Sequence, residues 1–149
     1  TDEAATILDA YFAAFPNVQS YMDDTVAQAK SRGYTETLFG RRRRIPELDS
    51  SNFRIRQAGE RQAMNAAIQG LAADIFKIAL IRIDQALSES ALASRLVLQV
   101  HDEVLVESPL NEVEVVDALV LQIMEQATKL DVPLAVNSAW GSTWAEAKS

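Results

Sequence analysis

Ala4, Ile7, Leu8, Tyr11, Phe12 and Phe15 recur near a 3.6-residue period, which predicts a helix over 3–15. Pro16 interrupts it and suits the start of a second helix, 17–32, which Gly33 stops. Tyr34-Thr35-Glu36-Thr37-Leu38-Phe39 has strand composition. Gly40 then turns the chain, Arg41-Arg42-Arg43-Arg44 follows and Ile45-Pro46 ends the excursion, which predicts a β-hairpin with a basic tip. Asp49-Ser50-Ser51-Asn52 clusters helix N-cap residues ahead of a long helix, about 53–88, with Gly70 as the point where a break would fall. Leu96-Val97-Leu98 and Val104-Leu105-Val106 are aliphatic, largely β-branched runs with the composition of buried strands. The short polar link His101-Asp102-Glu103 makes them a second hairpin. A helix over 110–130 has its apolar face on Val113, Val116, Leu119, Val120, Ile123 and Ala127 and reads as a sheet cover. Val132-Pro133-Leu134-Ala135-Val136-Asn137 is expected as a third strand, and Gly141-Ser142-Thr143-Trp144 as a closing segment with Trp144 packed. Helices first, then strand, strand, helix and strand, predict an α+β fold with a small antiparallel sheet.

The long helix carries a second pattern. Met64, Ile68, Leu71, Ile75 and Ile78 form an apolar stripe, and beside it Arg61, Asn65 and Gln69 stand four residues apart. Such residues turn about 40° per step and share about an 80° arc. Ala63, Ala66, Gly70 and Ala73 form a face of small residues that lets another element pack closely. Between Gln62 and Ile75 the only charge is Asp74, too little for an ordinary solvent-facing helix. A row of long hydrogen-bonding side chains there suits base edges in a duplex minor groove or a sugar-phosphate backbone. The same row would also serve to cap neighbouring loops.

The chain of 149 residues is enough for one domain with a real core, and 48% hydrophobic with 23% charged residues is ordinary for a globular protein. There is no cysteine, which excludes disulfides, thiolate metal sites and a cysteine nucleophile. No apolar run approaches a membrane span and nothing resembles a signal peptide, so a cytoplasmic location and no membrane partner are expected. The net charge of −7 argues against a nucleic-acid binder that uses its whole surface. Seven of the 14 basic residues nevertheless fall between Arg41 and Arg61, against Glu47, Asp49 and Glu60, leaving that window at +4. A local basic footprint of this kind suits phosphate. The glycines match no P-loop or dinucleotide fingerprint.

His101, Asp102 and Glu103 place an imidazole and two carboxylates on a stiff hairpin. Carboxylates held this way suit Mg²⁺, a hard cation that prefers oxygen ligands in near-fixed geometry. A solvated polar turn is the alternative.

Gln99-Val100-His101-Asp102-Glu103 with its flanking aliphatics resembles the palm motif C of the family A DNA polymerases, the bacterial DNA polymerase I family. Arg61-Gln62-Ala63-Met64-Asn65, then Ile68-Gln69-Gly70-Leu71-Ala72-Ala73-Asp74-Ile75, resembles that family's helix preceding the hairpin. Thr37-Leu38-Phe39-Gly40-Arg41-Arg42-Arg43 with Ile45-Pro46 resembles its basic fingers hairpin. Val132-Pro133-Leu134 and Gly141-Ser142-Thr143-Trp144 resemble its C-terminus. The resemblance runs in family order across nearly the whole chain. It implies that Asp102 binds catalytic Mg²⁺, that Glu103 is a secondary carboxylate, and that His101 lies near the primer 3′ end. It implies that Arg61, Asn65 and Gln69 contact primer–template DNA, with Arg56 a basic position beside them. The implied reaction is attack of a primer 3′-OH on the α-phosphate of a dNTP, assisted by two metal ions.

One departure from the family is large. The other palm aspartate, in a motif of the Asp-Tyr-Ser type, is absent, as is the fingers helix that holds the dNTP. Both would precede Thr1. The chain is therefore expected to be a C-terminal piece of a polymerase, with about 1–50 from the fingers and 51–149 from the palm, inactive alone. Two other classes remain: a non-catalytic nucleic-acid-binding module using the basic hairpin and polar row, and a small metal-dependent phosphodiesterase using Asp102, Glu103 and His101.

Overall fold

The computed structural model describes residues 2–148. They pack as two compact units that divide between Ala72 and Ala73, within a single long helix. The architecture is α+β, with helices and two separate two-stranded antiparallel sheets.

The first unit begins with α1 (Asp2–Ala14) and α2 (Pro16–Arg32), separated by Phe15 with Pro16 in the first turn of α2. Proline suits that place because its missing N–H would find no helical partner there. Gly33 ends α2 at φ 75°, and its N–H bonds the Ala29 carbonyl at 2.8 Å. The chain then forms β1 (Tyr34–Glu36) and β2 (Arg42–Arg44), in register Tyr34↔Arg44, Thr35↔Arg43 and Glu36↔Arg42. The turn lies at Thr37–Gly40, where the Gly40 N–H reaches the Thr37 carbonyl at 2.9 Å and Gly40 takes φ 81°. Thr37 Oγ1 accepts the N–H groups of Phe39 and Arg41. The expected basic tip is therefore a basic return strand. Glycine closes the turn before the arginines, and Leu38, 80% exposed, stands at the tip instead.

A short 3₁₀ turn, Pro46–Asp49, leads to α3 (Phe53–Glu89), whose start is capped by Asn52 Oδ1 accepting the Arg54 N–H at 2.9 Å. The helix runs unbroken through Gly70. The unit's core is Ala29, Ile45, Leu48 and Ala63, with Val26 against it. The small face of α3 does admit close packing: Ala63 and Ala66 are buried, and a Cβ on Gly59 would stand 3.0–3.1 Å from Glu47 and Leu48. The apolar stripe is not the buried face. Met64 is half-buried and Ile68 is 59% exposed.

In the second unit the last turns of α3 lead to β3 (Arg95–Val100), β4 (Glu103–Glu107) and α4 (Val113–Glu125). The core is Ile83, Leu87 and Val116, with Leu92, Leu96, Val104, Val106, Leu119, Val120, Ile123 and Met124 around it. This sheet is therefore covered on one face only, and Val97 and Leu98 are exposed. The strands pair Leu96↔Val106, Leu98↔Leu105 and Val100↔Glu103, with an irregularity at Val97. Helix α4 is shorter than the expected 110–130. Arg82 Nη1 donates to the carbonyls of Gln126 and Ala127 just beyond its end, at 3.0 and 3.1 Å. The third strand expected at 132–137 does not form, because its apolar residues find no ladder partner and Pro133 has no N–H to give. The chain closes in α5 (Trp144–Ala147), and Trp144 is partly exposed beneath the Lys148 ammonium.

Candidate functional site

In the first unit, Arg61, Asn65 and Gln69 are exposed along one side of α3. Their side chains make no hydrogen bond or ion pair among the described residues. The loop-capping role left open by their spacing is thus not the one they fill within this unit. Arg56 is placed differently. Five residues before Arg61, it lies about 140° around the helix from the row. It is half-buried, donates from Nη1 to the Ser50 carbonyl at 3.0 Å, and sits 5.8 Å from the Phe53 ring. Its guanidinium is therefore partly committed to holding the start of α3.

The basic strand is also partly neutralised. Arg42 pairs with Glu36 across the hairpin and lies 4.9 Å over the Tyr34 ring. The Glu36 hydrogen bond and charge hold its guanidinium above the ordinary arginine value. Arg43 Nη2 reaches Gln62 Oε1 at 3.4 Å. Lys30 and Glu60, 2.6 Å apart, tie α2 to α3. A cavity of about 610 Å³ opens among α2, β1 and α3, with Tyr21, Arg32, Tyr34, Ile68 and Leu71 in its wall. Ile68 and Leu71 of the apolar stripe therefore line a concavity, while Arg61, Asn65 and Gln69 lie outside its lining.

In the second unit the β3–β4 connection is a two-residue turn, since Val100 pairs directly with Glu103. His101 and Asp102 form the turn and are exposed, and Glu103 is already the first residue of β4. His101 takes φ 53°, a left-handed conformation that costs a non-glycine residue about 1–3 kcal/mol where it is held. Gln99 Nε2 donates to the His101 carbonyl at 2.7 Å, bracing the turn from β3. The Asp102 side chain has no hydrogen bond or ion pair among the described residues. Glu103 Oε1 meets Lys148 Nζ at 2.9 Å.

Asp102 and Glu103 are hard oxygen donors fixed at adjacent positions, which fits Mg²⁺, an ion usually bound by one or two carboxylates together with waters and substrate phosphates. Among the described residues no group of three or more His, Cys, Asp or Glu side chains gathers to hold a metal.

Two features escaped the sequence reading. The Glu112 carboxylate, just before α4, accepts the N–H groups of Ala93 and Ser94 and the Ser94 hydroxyl at 3.1, 3.0 and 2.6 Å. The Ser94 hydroxyl bond above all, then the Ala93 N–H, holds its pKa below the usual glutamate range. The second is Lys148, set on α5 by a capping arrangement in which Thr143 Oγ1 accepts the Glu146 N–H at 3.3 Å. The Glu146 carboxylate accepts the Ser142 hydroxyl and N–H and is likewise held low, chiefly by that hydroxyl. Thr143-x-x-Glu146 is a readable capping-box signature.

Residues 1–146 match the model of DNA polymerase family A. The chain belongs to DNA polymerase family A. It is 54% identical over 144 residues to DNA polymerase I of Mycobacterium tuberculosis (strain ATCC 25618 / H37Rv), covering 97% of this chain and 16% of that protein. It is 51% identical over 146 residues to DNA polymerase I of Bacillus subtilis (strain 168), covering 98% and 17%. Among solved structures it resembles the POL domain of Pol1 from M. smegmatis in complex with DNA primer-template and dNTP. That likeness has a TM-score of 0.96 and 48% identity, and covers 99% of this chain and 26% of the other. The chain thus spans about a sixth of the length of these curated relatives.

Proposed function

We propose that this chain is the C-terminal segment of the catalytic domain of a DNA-directed DNA polymerase, with residues 1–50 in the fingers and 51–149 in the palm. The observation that carries this reading is Asp102, exposed on a two-residue turn whose strands are packed into a core, with Glu103 adjoining, in a family A chain. Primer–template DNA and a dNTP are the partners, in keeping with the contents of the M. smegmatis complex. No helix among the described residues is long and apolar enough to cross a membrane, and the proposed location is the cytoplasm.

Two Mg²⁺ ions, when bound, would stabilise the attacking and leaving oxygens of nucleotidyl transfer. Asp102 is the principal ligand from this segment and Glu103 the secondary one. The paired strands and the Gln99 brace on His101 hold the backbone from which these carboxylates project, which limits the reorganisation needed when charge develops. His101 serves next to the primer 3′ end. Arg61, Asn65 and Gln69 hold the primer–template from α3, the arginine by charge and the two amides by hydrogen bonds, with Arg56 in a minor supporting place. The second palm carboxylate motif lies nowhere in residues 1–149, so this segment alone does not extend a primer.

The test is made in a complete polymerase carrying this segment. Asp102→Ala abolishes nucleotide incorporation and leaves duplex binding largely intact, because DNA affinity comes mainly from phosphate contacts. Asp102→Asn is nearly as damaging, since the amide keeps the shape and loses the charge. Near-normal turnover in either variant would remove Asp102 from the ligand set.

A further inference from the structure

The end of the chain reaches the turn that carries Asp102. Lys148 follows α5, and its ammonium lies 2.9 Å from Glu103 Oε1 and 5.2 Å from the centre of the Trp144 ring. A lysine on its flexible stem is usually free to swing, but this one is held from two sides, by an ion pair and by an aromatic face. Its base is built as well. Thr143 and Glu146 cap α5, Glu146 also binds Ser142, and a Cβ on Gly141 would meet Glu146 Cβ at 2.8 Å and the Ala147 nitrogen at 2.9 Å. The approach to α5 is thus packed too tightly for a side chain at position 141.

We propose that Lys148 is a positioning residue for the carboxylates of the β3–β4 turn: it holds Glu103 in an ion pair and leaves Asp102 as the free carboxylate that meets a divalent cation. The inference rests on the reading of Asp102 given above. Glu103 and Asp102 are consecutive, so without Lys148 the turn would present two uncompensated negative charges to a cation instead of one. Lys148 makes the two carboxylates unequal. Glu103 is drawn toward α5 and Asp102 keeps its lone pairs for the metal. The side chains of the pair are 56% and 42% exposed, so the attraction is screened and the pair can open when a bound cation competes for Glu103.

The experiment measures Mn²⁺ binding without turnover, in a complete polymerase carrying this segment, from the electron paramagnetic resonance signal of the free ion. The quantity read is the fraction of binding that Asp102→Ala removes. Lys148→Met keeps a stem for the Trp144 ring and drops the charge, and Lys148→Gln provides a second neutral variant should methionine disturb folding. Either should tighten Asp102-dependent Mn²⁺ binding roughly two- to fivefold at low salt, the range of an exposed ion pair, and the difference should shrink at high salt. Lys148→Arg should restore the original affinity. In a Glu103→Gln background Lys148→Met should change nothing. Unchanged binding in both neutral variants overturns the inference while Asp102 keeps its role. An equal shift in the Glu103→Gln background also overturns it, because Lys148 would then act as a general surface charge. Mn²⁺ binding that is indifferent to Asp102→Ala removes the reading of Asp102 itself, and the inference with it.

Discussion

Gly70 and Thr37 approach so closely that a Cβ at position 70 would stand 2.7 Å from Thr37 Cγ2. This contact lets α3 lie against the β1–β2 hairpin, and it explains a glycine within a helix that continues unbroken. At an open helix position Gly→Ala stabilises by about 1 kcal/mol. Here the methyl meets a buried β-branched residue whose hydroxyl is already committed to Phe39 and Arg41. Overpacking of that kind costs about 1–3 kcal/mol, so Gly70→Ala should give no stabilisation and as much as about 2 kcal/mol of loss. Thr37→Ser removes Cγ2 and keeps the hydroxyl. In that background Gly70→Ala should become stabilising, and thermal melting of the four proteins completes the cycle.

Glu112 should shape the acid limb of stability. Its carboxylate is held below the ordinary glutamate range chiefly by the Ser94 hydroxyl. A folded-state pKa depressed below the unfolded value gives stability that is fully present above the unfolded pKa, near 4.3 for glutamate. That stability is lost as pH falls through the depressed folded value. Glu112→Gln should therefore destabilise at neutral pH, and its difference from the parent should close at acid pH below the glutamate range. Denaturant melts across pH 2–7 measure this. A difference that stays constant with pH would show that packing, not charge, gives Glu112 its effect.

Locally determined features were legible in the sequence. The periodicity of α1 and α4, Pro16 and Gly33 at the ends of α2, the cap at Asn52 and the aliphatic runs of β3 and β4 depend on neighbours within a few residues, and the structure has elements at each. Features that depend on distant partners were not. Residues 132–137 have strand composition, but a strand exists only where a second backbone supplies the ladder. On α3 the periodicity marked Met64 and Ile68 as a stripe, yet burial went to Ala63 and Ala66, because the closest approach of another element favours small side chains over apolar ones. The Lys148–Glu103 pair joins segments far apart in the chain and left no periodic signal. Glu112 is not among the apolar-face residues of the helix expected over 110–130, and nothing near it in sequence marks its partners in the loop leading into β3. The polar row was readable as a row. Its side chains bond no loop among the described residues.

His101 combines a strained backbone with a candidate role in the site, and two substitutions separate these. Both His101→Gly and His101→Ala delete the imidazole. Only glycine is at ease at φ 53°, where an L side chain costs about 1–2 kcal/mol. The glycine variant should therefore be more stable than the alanine variant by a free energy of about that size, read from denaturant melts. If the imidazole serves the primer end, the two should slow primer extension equally despite their unequal stability. Slowing that tracks stability instead would mean that His101 matters only for the shape of the turn.

Arg61, Asn65 and Gln69 provide the sharpest test of the α3 surface. All three are exposed, occupy one arc and make no side-chain hydrogen bond or ion pair among the described residues. Replacing them with alanine should therefore leave the melting temperature nearly unchanged, as for surface positions away from special contacts. If the row holds primer–template DNA, Asn65→Ala and Gln69→Ala each lose neutral hydrogen bonds worth about 0.5–1.5 kcal/mol. Extension from a paired primer would then slow roughly 2- to 13-fold in each. Arg61→Ala also removes a charge next to phosphates, so it should weaken duplex binding further and reduce the dependence of binding on salt. Single-turnover extension and binding at several salt concentrations, in a complete polymerase, read these effects separately. A lowered melting temperature with normal extension per folded molecule would assign the row to contacts within the protein and take it out of DNA binding.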